Sequence, residues 1–157
     1  MTTATTPAPA APTGLRAAWN RIADTLERWI GHSLLALAAR FSIAGIFFMS
    51  GRTKVEGWLS VSENAVALFA DEYKVPLLSS ELAAHLATYA EHLFPVLLVL
   101  GLFTRFAALA LLGMTAVIQL FVYPAAWPTH LAWAGLLLYL AGRGAGTWSL
   151  DRLLGIR

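Results

Sequence analysis

The chain has 157 residues, of which 58% are apolar and 13% charged, with a mean hydropathy of +0.64. One domain's length with so little charge is far from soluble-protein composition and points to an integral membrane protein. The net charge of +2 comes from basic residues without an aromatic-interleaved run, which argues against nucleic-acid binding. With no cysteine there is no disulfide, thiolate metal site or thiol nucleophile, so redox chemistry needs a cofactor, a quinone or a partner subunit.

Residues 1–14, MTTATTPAPAAPTG, hold only Thr, Ala, Pro and Gly after the initiator and offer no apolar face, so a disordered tail is expected. From Leu15, the apolar Trp19, Ile22, Leu26 and Trp29 recur at helical spacing opposite Arg16, Arg21, Asp24, Glu27 and Arg28. This predicts an amphipathic helix over residues 15–32 lying in the membrane interface, with packing on a partner protein as the alternative. A first span is expected over residues 34–51, carrying Arg40, which either snorkels to the near headgroups or forms a buried ion pair. Gly51 to Lys54 end it at the far interface.

Residues 55–80 form a polar connection in which Ser62 caps a short helix and Val75-Pro76 stops it, read as a re-entrant or surface-lying loop. Behind the capping residues Ser79 and Ser80, a second span runs over 81–103. Its Glu81, His85, Thr88 and His92 are spaced as one polar stripe descending toward Glu91, with Pro95 a turn beyond. A third span covers 106–123 with Gln119 as its strongly polar side chain, and Gly113 is expected at a close helix contact. The fourth, 128–142, is short: about 22 Å at the usual rise against a core of roughly 30 Å. Asp151 reads as the cap of a last helical turn.

Four spans put both termini on one side, where seven arginines (16, 21, 28, 105, 143, 152 and 157) face Arg52, Lys54 and Lys74 on the other. The positive-inside rule then makes the termini cytoplasmic. Arg52, Lys54, His85, Gln119, Tyr123 and His130 are thereby brought around an outer mouth.

Arg40 with GIFFMSGRTKVEGW (Gly45 to Trp58), KVP (Lys74 to Pro76), AEHLFPVLLVLGLFTRFAAL (Ala90 to Leu109) and GRGAGTWSLDRLL (Gly142 to Leu154) resembles the DoxX/DoxD family of small four-span bacterial membrane proteins. The resemblance covers nearly everything after the tail. It implies an all-α integral membrane four-helix bundle in the bacterial inner (plasma) membrane. Members resemble the membrane subunit of a thiosulfate:quinone oxidoreductase, and others are linked to redox complexes or oxidative-stress responses. This chain departs from the family's commoner pattern by having His92, Leu93, Phe94 and Pro95 where small residues often follow the Glu, and by the segment YPAAWPTH, which suggests a subfamily with different chemistry.

Charge at membrane depth is expensive, so Glu91, His92 and Arg40 are the candidate catalytic residues. Glu91 is either neutral and poised as a proton carrier, or ionised against Arg40, Arg52 or Lys54. His92 is either a hydrogen-bond partner to a quinone, a proton relay, or a satisfied interhelical histidine. Pro95 lacks the N–H that would bond the Glu91 carbonyl. Lys54, Arg52, His85, Gln119, Tyr123 and His130 are candidate ligand-binding residues. No HExxH or paired-carboxylate spacing supports a metal, and Trp127, Trp133 and Tyr123 read as interfacial anchors. The expected function is a membrane subunit, without covalent cofactor, passing electrons from a sulfur compound or a peripheral redox partner subunit to a quinone held in a pocket of Arg40, Lys54, Glu91, His92 and Gln119. The alternative is a non-enzymatic membrane scaffold or small-molecule carrier.

Overall fold

The structure, a computed structural model, describes residues 13–156. The expected tail lies almost wholly outside those residues. The chain divides into two units, 1–31 and 32–157. The first contains α1 (Leu15–Trp29), whose polar face is knitted by its own side chains: Thr25 Oγ1 donates to Arg21 O at 2.7 Å and Arg28 Nε to Asp24 O at 3.1 Å. Leu15, Trp19, Ile22, Leu26 and Trp29 fall along the other face, as their spacing requires.

The second unit is built on four long helices: α2 (His32–Arg52), α4 (Ser80–Leu100), α5 (Thr104–Val117, continued by a π turn over Ile118–Val122) and α6 (Trp127–Arg143). They pack in a ring, α2 against α4, α4 against α5, α5 against α6 and α6 against α2. The centre is filled by small and branched residues, with Ala36, Ala39, Ile43, Ala44 and Phe47 of α2 meeting Leu98, Ala107, Leu111, Leu137 and Leu140. Outside that seam Phe41, Met49, Leu93, Phe106, Leu109 and Leu138 are exposed, a surface suited to lipid. Three of the helices, His32–Arg52, Ser80–Leu100 and Thr104–Val122, are long and apolar enough to cross a membrane. Helix α6 has 17 residues, about 25 Å, and is extended at its start by a 3₁₀ turn over Pro124–Ala126.

The connection between α2 and α4 is more ordered than a loop. Val55–Glu56 (β1) pairs antiparallel with Ser60–Val61 (β2), and Gly57 turns the hairpin at φ +70°. Arg52 donates from its guanidinium to Trp58 O (2.8 Å) and Gly57 O (3.0 Å), so its charge is spent on the exposed hairpin. Ser62 Oγ then accepts from Ala65 N at 3.1 Å and starts α3 (Glu63–Leu68), which widens into a second π turn, Phe69–Tyr73, closed by Lys74 at φ +43°. Two further expectations are corrected. Helix α4 ends at Leu100 rather than Phe103, because Gly101 takes the left-handed conformation that ends a helix. Gly113 meets nothing; the close contacts fall at Gly51, Gly101 and Gly146.

At the end of the bundle holding the α4 terminus, two buried charges tie segments together. Arg40 donates Nε to Leu98 O (2.6 Å), Nη2 to Val99 O (2.6 Å) and Nη1 to Trp148 O (2.7 Å) and Ala145 O (3.1 Å). Asp151 accepts from Phe103 N (2.7 Å) and Thr104 N (3.0 Å), so it caps α5 from the far end of the chain. The short α7 (Leu150–Leu154) is capped by Ser149, whose Oγ accepts from Arg152 N at 3.3 Å, not by Asp151 as its position in sequence suggests.

Candidate functional site: a cavity beside a buried ion pair

Lys54 and Glu91 meet inside the bundle. Lys54 Nζ lies 2.7 Å from Glu91 Oε2, with side-chain exposures of only 7% and 5%. The same ammonium donates to Ser50 Oγ (3.0 Å) and Ser50 O (3.2 Å), and Ser50 Oγ donates to Glu91 Oε1 at 3.2 Å. All three donors of the lysine and both oxygens of the carboxylate are thereby used, the condition under which a buried pair is tolerated. Of the three cations considered for Glu91, the structure selects Lys54. Arg52 points into the hairpin. Arg40 lies ten residues below Ser50 on α2, about 15 Å along the axis, and is saturated by carbonyls.

Gly51 sits where α2 crosses α4 at this level. A Cβ there would come within 2.9 Å of the His92 ring and 3.0 Å of Glu91 Cβ, so glycine sets the spacing that places Ser50 and Lys54 against Glu91. His92 occupies the helix interface: its Nδ1 bonds Thr88 O at 2.7 Å, Phe48 packs on it edge-to-face at 5.3 Å, and Nε2 is buried without a partner. The polar stripe above it is turned on its own helix, His85 Nδ1 bonding Glu81 O (2.8 Å) and Thr88 Oγ1 donating to Ala84 O (2.7 Å). The stripe does not line the cavity, and neither do Arg40, Arg52, His85 or His92. Of the expected pocket of Arg40, Lys54, Glu91, His92 and Gln119, only Lys54 and Glu91 line the cavity; the helix rotation that puts Glu91 on it turns its neighbour His92 toward α2.

The cavity holds about 590 Å³ and is walled mainly by apolar groups of α2, α4, α5 and α6, including Phe47, Phe94, Met114 and Trp133. Its polar points are few: Ser50, Lys54 and Glu91 on one side, His130, Tyr123, Tyr73 and Tyr89 elsewhere. The two π turns contribute Phe69 and Tyr73 from one and Ile118 and Val122 from the other. Tyr123 OH donates to Glu72 Oε1 at 2.8 Å and its ring meets Tyr73 edge-on, 5.6 Å between centroids, clasping the two turns. His130 is buried; its Nδ1 lies 2.7 Å from Gln119 Oε1, while Gln119 Nε2 donates to Pro124 O at 2.8 Å. Gln119 reaches the cavity only through that histidine, and lines instead a neighbouring space of about 360 Å³ that shares His130.

Sequence reasoning missed Ser50 and Trp133. Ser50 carried a signal, a hydroxyl four residues before Lys54 in an apolar run. Trp133, read as an interfacial anchor, meets Phe47 edge-on (5.5 Å) and the His130 ring at a tilt (5.1 Å) and lines the cavity, whereas Trp127 is exposed as an anchor would be. Among the described residues no three His, Asp or Glu side chains are grouped to hold a metal ion.

A bundle with lipid-suited outer faces, spanning-length helices and a buried ion pair on an apolar cavity defines a small helical integral membrane protein. Residues 35–124 match the family model DoxX, and the chain belongs to that family. It is 32% identical over 141 residues to an uncharacterized protein of Haemophilus influenzae, a match covering 83% of this chain and 90% of the relative. No solved structure matches it.

Proposed function

We propose that this DoxX protein is a membrane subunit of a redox system in the bacterial inner membrane, crossing it four times with both termini cytoplasmic, and that its cavity receives the head of a quinone. The observation that carries the reading is the cavity itself. Its 590 Å³ falls within the roughly 300–1,000 Å³ of small-molecule sites, and its apolar walls carry a few polar atoms at defined points. A quinone supplies the capacity to take two electrons and two protons; electrons reach it from a sulfur compound or a peripheral partner subunit. The residues of this chain do the rest. Lys54 holds Glu91 as an oriented carboxylate at the wall, a place for a proton in transit, and Ser50 fixes the carboxylate plane. Phe47, Phe94 and Trp133 exclude water from the ring.

Membranes bearing Glu91→Gln, or Ala87→Trp to fill the cavity, are expected to lose sulfur-compound-dependent quinone reduction by about 100-fold, the scale of one proton-transfer group. Unchanged rates in both variants, with no quinone in the purified wild-type protein, would sink the proposal. One observation favours the second reading, a non-enzymatic scaffold or carrier: Lys54 has no donor left for a ligand. Under it, the pair staples α2 to α4, and a solute flux in proteoliposomes, lost in Ala87→Trp, would replace the redox activity.

A further inference from the structure

His130 and Gln119 fix which hydrogen-bonding role their wall of the cavity offers. Pro124 O can only accept, so the Gln119 group 2.8 Å from it is the NH₂. The amide oxygen then necessarily faces His130 Nδ1 at 2.7 Å, and an oxygen there requires the proton on Nδ1. No carboxylate lies within salt-bridge distance of the ring among the described residues. A neutral ring with Nδ1 protonated has a bare lone pair on Nε2. His130 is only 5% exposed and lines both the cavity and the neighbouring space, and its Nε2 has no partner among the described residues; unlike the Nε2 of His92 it is not sealed away.

We infer that Gln119 positions His130 as a hydrogen-bond acceptor, so that the cavity selects a lipid-soluble ligand presenting a hydroxyl, the quinol, over the corresponding quinone. The inference rests on the proposed quinone site and adds its preferred form. A quinone carbonyl has no proton for Nε2, whereas a quinol O–H does, and the buried lone pair is left unmatched by the wrong form.

The test uses the full chain in nanodiscs, a decyl-substituted benzoquinol kept reduced, and its oxidised quinone as probes. Calorimetry is expected to give the quinol about fivefold tighter binding, the weight of one hydrogen bond. Heteronuclear NMR on histidine-labelled protein is expected to show His130 protonated at Nδ1 and bare at Nε2. In Gln119→Glu the carboxylate holds the ring as an imidazolium, Nε2 becomes a donor, and the preference reverses toward the quinone. Equal binding of the two forms, a ring protonated at Nε2, or an unaltered preference in a folded Gln119→Glu protein overturns the inference while leaving the quinone site standing. If neither form binds, the quinone site falls and takes the inference with it.

Discussion

Lys54 and Glu91 show what an ion pair needs in order to sit inside an apolar bundle. Each charge has lost its water, and the loss is offset because Ser50 fills the hydrogen-bonding positions that the two leave open. Breaking one side leaves the other charge buried and alone. Lys54→Met and Glu91→Leu are each expected to destabilise the protein by about 3–5 kcal/mol, whereas the double variant loses much less. Chemical unfolding of the four proteins in detergent checks this, and equal losses for single and double variants would contradict it. Glu91 was legible in the sequence because a carboxylate stands out in an apolar run. Its partner was not: Arg40, Arg52 and Lys54 share the same stretch of chain, and which one turns inward depends on helix phase and on which carbonyls are free nearby. Arg40 finds four carbonyl contacts at the end of α4 and in the Ala145–Trp148 segment, and Arg52 finds two in a hairpin that the sequence did not announce.

At the scale of elements, the close approach of α2 to α4 depends on one missing side chain. Gly51→Ala would drive a methyl against the His92 ring and Glu91 Cβ. Overpacking of this kind costs about 1–3 kcal/mol. Because the ring is one of the obstructing groups, His92→Ala in the same chain is expected to recover part of the loss, measured again by unfolding; no recovery would mean that Gly51 matters for its backbone alone. Helix starts were readable from local chemistry, as the Ser62 and Ser79 caps show. The two π turns were not, since a wider turn leaves no composition signal, yet they line the cavity. The same limit hid the role of Asp151. A carboxylate two residues beyond a serine reads as a local cap, and only the tertiary fold reveals that it serves the amide groups of Phe103 and Thr104.

For the whole molecule, apolar composition and four helical runs were enough to give an all-α membrane bundle, and the ring order of helices places the cavity among them. The cavity's membership was the less readable part, because lining depends on rotation about each helix axis: Glu91 faces in and His92, its neighbour, does not. The proposed orientation makes a separate prediction. A cysteine placed at exposed Trp58 is expected to react with a membrane-impermeant maleimide added to intact cells, after permeabilisation of the outer membrane where there is one, and a cysteine at Arg143 only after the inner membrane is opened. The reverse pattern would place the termini outside.

The most direct test of the account is native mass spectrometry of the protein released from its own membrane. One bound quinone or quinol per chain is expected in the wild type, absent when Ala87→Trp fills the cavity. A wild-type protein that carries phospholipid alone, with the same spectrum in the filled variant, would contradict it.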